Sequence, residues 1–234
     1  MEQIKLWKID KDGLRQVDCD SLDFEARLEK WILDDISVIS AGFMVIGSQV
    51  QTAYGKAIDI LAMDAIGNLV IIELKRDKTP RDVTAQVIDY ASWVKDLTLE
   101  EIEEIYRGWS KNGKGLEEAF NERFKGIDFP DEVNDSHRMI IVGSNIDDST
   151  SRIVRYLSEE GNININAMTF SYFKDKDGHE FLVKTALIAE SELEEKAQKK
   201  SNRGPSICKK LFAAGKLKVG QKVILFAAID QGVS

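Results

Sequence analysis

The chain has 234 residues, 43% of them hydrophobic and 31% charged, with a formal net charge of −8. That much apolar material excludes a mainly disordered chain and suffices for one large core. No apolar run approaches the roughly 20 residues that a bilayer span demands, so a transmembrane protein is not expected, nor a membrane partner.

The charge is uneven. Residues 191–234 hold nine Lys/Arg against four Asp/Glu, which leaves a net −13 on residues 1–190. An acidic body argues against a general nucleic-acid coat protein, but not against an enzyme that meets phosphates through a small basic rim. The opening Met1-Glu2-Gln3-Ile4-Lys5 lacks the apolar stretch of a signal peptide. Cys19 and Cys208 lie far apart and form no zinc-type pair. A reduced, cytoplasmic compartment is the expectation.

In chain order, Ile4 to Val17 reads as a hairpin turning at Lys11-Asp12-Gly13. Ser21 or Asp23 caps a helix through FEARLEKWILDD. Phe24, Leu28, Trp31 and Ile32 follow the spacing of one buried helix face, with Glu25 and Glu29 on a neighbouring face. FMVIGSQVQT and Ala57 to Met63 read as strands, and Ala65 to Asn68 as a tight connection. Leu69 to Lys75 is a third strand, its apolar run fitting burial on both faces. A helix is expected to open at Thr79-Pro80, with Thr79 as N-cap and Pro80 in the first position, and to run to about Lys95. Leu97 to Asp128 reads as largely helical and surface-facing, interrupted near Gly113. A short buried strand at Arg138 to Gly143 and an amphipathic helix from Ser149 to Glu160 follow. Strands at Ile163 to Phe173 and Phe181 to Ile188 flank a turn at Lys174 to Gly178.

The fold class is therefore α/β: one domain over residues 1–190 with a mixed sheet flanked by helices, preceded by an N-terminal hairpin. Residues 191–206 read as a charged linker. Residues 207–234 read as a helix and a strand or two, too short for a core of their own, and so a docked segment or the start of a second domain.

The informative chemistry sits at Asp59, Glu73, Leu74 and Lys75. Asp59 interrupts an apolar strand; Glu73 and Lys75 end one and, two apart, project from the same face. Acids placed there are costly unless something cationic compensates. Hard divalent cations take carboxylate and carbonyl oxygens, so Asp59, Glu73 and the backbone carbonyl of Leu74 make one ligand set, with Lys75 beside the metal to orient or activate an attacking water. An ion pair of Lys75 with Glu73 or Asp59 is the purely structural alternative, and residue types alone leave both open. Arg76, Lys78 and Arg81 form a local basic rim suited to phosphate contacts. Gln86 and Tyr90, four apart, share one face of the following helix. An amide such as Gln86 among Val83, Val87, Ala91 and Val94 calls for a polar partner.

Taken together, GKAIDILAMDAIGNLVIIELKRDKTPRDVTAQVIDYA resembles the core of the PD-(D/E)XK nucleases, above all the NucS-type endonuclease branch, with its Glu-bearing helix, E-x-K and Q-x-x-x-Y. The resemblance runs from about Leu22 to Val94 and more loosely to Ala189. It implies a restriction-endonuclease-like fold and Mg²⁺- or Mn²⁺-dependent phosphodiester hydrolysis, with nucleic acid, most readily DNA, as partner. Carried over, Asp59, Glu73 and Lys75 match the catalytic core, and Gln86 and Tyr90 the helix behind it. The helix acid falls on Glu25, directly or through water on the metal, with Glu29 second. The family's proline is Ile58 here. Before Leu22 there is no room for the dimerisation and DNA-binding domain of full-length NucS enzymes, so mismatch specificity is not carried over and a homodimer is left open. The rival is a non-catalytic nucleic-acid-binding or regulatory module on the same fold.

Other chemistries fall away. Gly108 to Lys114 imitates a phosphate-binding loop, but Gly115 stands where Ser or Thr is needed. His137 and His179 are the only histidines, too few for a multi-histidine metal site.

Overall fold

The computed structural model describes residues 4–11, 13–20, 24–79 and 81–189, without the side chains of residues 10, 24, 25 and 76–79. All belong to one unit, Met1–Glu190. The expectations for residues 191–206 and 207–234, and those for Ser21 and Asp23 as caps, lie outside the described residues.

The expected mixed sheet has six strands: β3 (Phe43–Gln51), β4 (Ala57–Asp64), β5 (Leu69–Thr79), β6 (His137–Ile146), β7 (Ile165–Lys174) and β8 (Glu180–Ala186), side by side in that order. β3–β4–β5 form an antiparallel meander, β5–β6–β7 run parallel, and β8 returns antiparallel on β7. The parallel pairs need crossovers. These are built by α2 (Asp82–Val94), α3 (Leu99–Trp109) and α4 (Leu116–Arg123) between β5 and β6, and by α5 (Asp148–Glu159) between β6 and β7.

Alternation along β5 decides what lies on each face. Val70, Ile72 and Leu74 join Ile60, Ala62, Ile140, Val142, Met168 and Phe170 in a core sealed by Leu28 and Ile32 of α1 (Phe24–Asp34). On the opposite face, Val83, Val87, Tyr90, Ala91 and Val94 of α2 are buried, and α2 packs on β5 and β6. The first hairpin, β1 (Leu6–Asp10) with β2 (Gly13–Val17), is a sheet of its own. It is fastened to the domain by a bridge from Cys19 to Phe173 and by Lys8, whose Nζ sits 2.8 Å from Asp175 Oδ2 and 2.5 Å from Asp177 Oδ2.

Two sequence expectations need correcting. β5 does not stop at Lys75 but continues to Thr79, pairing Lys78 with Asn145 and Thr79 with Ile146 after a shift in register. The helix therefore begins at Asp82 with Arg81 at the N-cap, and no side chain caps it. The residue before a proline is pushed toward extended backbone, and Thr79 accordingly pairs with Ile146 in the parallel ladder with β6 rather than opening the helix. The region 97–128 is also less superficial than expected: Ile102, Tyr106, Leu116, Phe120 and Phe124 are buried. Phe120 packs edge-on against Phe124 and Phe129, at 4.7 and 5.1 Å between ring centres.

Candidate metal and active site

The site forms where β4 and β5 separate. Their ladder ends at Ile60 opposite Ile72, so one step further Asp59 faces Glu73. There the Leu74 N–H donates to Asp59 Oδ2 at 2.8 Å, a side chain taking over from the backbone. Glu73 shares its face with Ile71 and points toward α2; at 2% exposure it is the one buried charged residue among the described residues. Its Oε1 accepts from Lys75 Nζ at 2.6 Å and from Gln86 Nε2 at 2.7 Å. The Gln86 Nε2 also donates to the Tyr90 hydroxyl at 2.7 Å, and that hydroxyl donates to the Ala57 carbonyl at 2.7 Å. Tyr90 is thus both core and site: its ring is buried, and its hydroxyl ties α2 to the start of β4. Burial raises the Tyr90 phenol above its ordinary pKa, which keeps it a donor.

Electrostatically the centre is in deficit. Burial, and then the facing charge of Asp59, push the Glu73 carboxyl up to about 7, and the Lys75 hydrogen bond only partly opposes them. Its second oxygen, Oε2, is buried with no hydrogen-bond partner. Buried carboxylate oxygens are rarely left so. The donor set fits a hard divalent cation: two facing carboxylates, one with an orphaned oxygen, beside the backbone of Leu74.

From the other side of the sheet, Glu29 of α1 reaches the same place. Its Oε1 accepts from Ser48 Oγ at 3.3 Å and from Gln49 Nε2 at 3.1 Å, and Gln49 Nε2 is also 3.2 Å from Asp59 Oδ1. The structure thus brings together Glu29, Asp59, Glu73, Lys75, Gln86 and Tyr90. The side chains of Glu25, Arg76 and Lys78 lie outside the described residues. Arg81 is exposed and 4.0 Å from Asp82, its neighbour in sequence. Ser48 and Gln49 were not singled out from the sequence. The signal was there in the hairpin: counting back from the turn places Gln49 opposite Asp59.

Two other features stand apart. A cavity of about 720 Å³ between α3 and α4 is lined by Tyr106, Arg107, Lys114 and Leu116 among others, and contains none of these site residues. Asp175, Asp177 and His179 cluster within 4.8 Å. The Lys8 ammonium already bridges both carboxylates, and its hydrogen bond holds Asp175 well below the ordinary carboxylate range.

A mixed sheet that splits to present Asp59 beside Glu-x-Lys, backed by Gln-x-x-x-Tyr on the next helix, defines a restriction-endonuclease-like domain of the PD-(D/E)XK type. The model for the endonuclease NucS C-terminal domain matches residues 24–145, just over half of the chain, and the chain belongs to that family. It is 30% identical over 118 residues to endonuclease NucS of Pyrococcus horikoshii, covering 50% of this chain and 46% of that one. It is 33% identical over 67 residues to endonuclease NucS of Sulfolobus acidocaldarius, covering 29% and 26%. The chain thus spans less than half the length of these curated relatives. Among solved structures it is similar to a repair endonuclease from Pyrococcus abyssi, at 20% identity and a TM-score of 0.38 over 62% of this chain and 47% of that one. It is also similar to an EndoMS-dsDNA2 complex, at 21% identity and a TM-score of 0.38 over 67% and 50%. Among the described residues no helix is long and apolar enough to cross a membrane.

Proposed function

We propose that this domain is a divalent-metal-dependent endonuclease that hydrolyses phosphodiester bonds in DNA. The observation that carries the reading is Glu73: a buried carboxylate facing Asp59, with one oxygen clamped by Lys75 and Gln86 and the other left without a partner. An ion pair alone would satisfy Glu73 through Lys75 and would not require a second acid beside it. Family membership and the relatives named endonuclease NucS support the same conclusion.

Asp59 and Glu73 would hold Mg²⁺ or Mn²⁺, with the Leu74 carbonyl and a helix acid completing the set. When bound, the ion supplies positive charge for the scissile phosphate and the departing oxygen. The chain's own residues do the rest. Lys75, fixed by Glu73, presents its ammonium at the mouth of the site, where it orients the attacking water and offsets phosphate charge. Gln86 and Tyr90 fix the Glu73 oxygen to which Lys75 is bound, so α2 sets the position of both. Arg76, Lys78 and Arg81 would bind the flanking backbone phosphates, sequence-independently.

The test is cleavage of supercoiled plasmid, linear duplex and single-stranded DNA in Mg²⁺, Mn²⁺ or EDTA by the chain and by Asp59→Ala. Metal-dependent cutting that disappears in a folded Asp59→Ala protein is the expected result. Cutting that persists in that variant, or in EDTA, would overturn the proposal.

A further inference from the structure

Gln49 lies outside the acid-and-lysine pattern, yet its side chain reaches two of the site's carboxylates, those of Asp59 and Glu29. β3 pairs Ser48 with Ile60 and Val50 with Ile58, so Gln49 faces Asp59 across the ladder. Its Nε2 lies 3.2 Å from Asp59 Oδ1 and 3.1 Å from Glu29 Oε1. Both partners are carboxylates, so the NH₂ end of the amide is the end that faces them.

The backbone explains how one side chain serves both. Consecutive residues of a regular strand point to opposite faces, yet Ser48 and Gln49 both donate to the same Glu29 oxygen. Gln49 has φ +52°, two residues beyond the register shift between Val45 and Gly47. Among the described residues, the other non-glycine positions with positive φ are Asn134 and Asn162, the residue type that tolerates the left-handed region. Glutamine has no such local advantage. Strain of this kind persists where the surroundings impose it, and it gathers at functional sites.

We infer that Gln49 is a positioning residue, whose amide ties the helix acid Glu29 to the strand acid Asp59 so that α1 delivers a third carboxylate to the metal cluster. The inference rests on Asp59 and Glu73 being metal ligands. Two carboxylates brought together repel, and a partly exposed Glu29 would otherwise turn to water; one amide nitrogen, with a proton for each, offsets that.

The test is calorimetric titration of the full chain with Mn²⁺, alongside thermal unfolding in EDTA. Gln49→Gly removes the amide and leaves a residue at ease with positive φ. Its unfolding temperature in EDTA is therefore expected to hold or rise, while Mn²⁺ affinity falls on the order of tenfold, as for other residues that orient metal ligands. A merely structural Gln49 predicts the reverse: lower unfolding temperature, unchanged affinity. Adding Gln49→Gly to Glu29→Ala should cost little more affinity than Glu29→Ala alone, because Gln49 acts through Glu29; additive losses would overturn the inference. Asp59→Asn separates the two levels. If it abolishes Mn²⁺ binding while Gln49→Gly binds normally, the role of Gln49 falls and the metal site stands. If the unmodified chain binds no Mn²⁺, both fall.

Discussion

Replacing Glu73 by Gln should make the metal-free protein more stable at neutral pH, and the size of the gain can be worked out. Glu73 is 2% exposed, and its carboxyl is pushed from 4.5 up to about 7. At about 1.36 kcal/mol per unit, that shift costs the folded state about 3 kcal/mol once both states are ionised. Below pH 4.5 the group is neutral folded and unfolded, and the shift has no effect. Between 4.5 and about 7 the unfolded chain releases its proton first, so folding stability falls; above 7 the cost is complete. The amide that replaces the carboxyl in Glu73→Gln cannot titrate, and its oxygen can still accept from Lys75 and Gln86. Urea unfolding in EDTA from about pH 4 to pH 8 should therefore show the unmodified protein losing about 3 kcal/mol relative to Glu73→Gln. Saturating Mn²⁺ should reverse the ranking at high pH, because only the carboxylate protein gains binding energy. Parallel stability profiles in EDTA would refute the argument that Glu73 is a buried, uncompensated acid.

Tyr90→Phe leaves the Ala57 carbonyl and Gln86 each short of a partner; a loss of about 1–3 kcal/mol in urea unfolding is expected, and an unchanged midpoint would contradict it. Gly67 has φ +82°, and a Cβ there would lie 2.6 Å from Pro130 Cγ. Gly67→Ala should thus destabilise by more than about 1 kcal/mol, while a neutral effect would mean that the β4–β5 turn is looser than described. In Lys8→Met, the Asp175 carboxyl should move up toward the ordinary range, as followed by NMR titration of the carboxyl carbons. No movement would place the cause elsewhere than the hydrogen bond from Lys8.

How much of this could be read from the sequence depends on how local each determinant is. The β4–β5 acids were legible because charge inside apolar strands is expensive whatever the tertiary context. Gln86 was legible as an amide on an apolar helix face, and it did find its partner in Glu73. The start of α2 was misread because Thr79-Pro80 looks like a cap locally, whereas the outcome was set by pairing with β6, more than 60 residues away in sequence. Gln49 escaped notice because its role needs three things together: the hairpin register, a positive φ, and Glu29 arriving from α1. Reading only the helix spacing favoured Glu25 over Glu29. Spacing fixes which residues share a face; Glu29 meets Ser48 and Gln49 of β3, and the Glu25 side chain lies outside the described residues.

The most direct test of the central claim is a crystal of this chain soaked in Mn²⁺, with the anomalous signal of the metal recorded. The account predicts a peak within bonding distance of both Asp59 and Glu73, and no peak there in Asp59→Asn. No anomalous density at that pair, or density only at Asp175, Asp177 and His179, would contradict it.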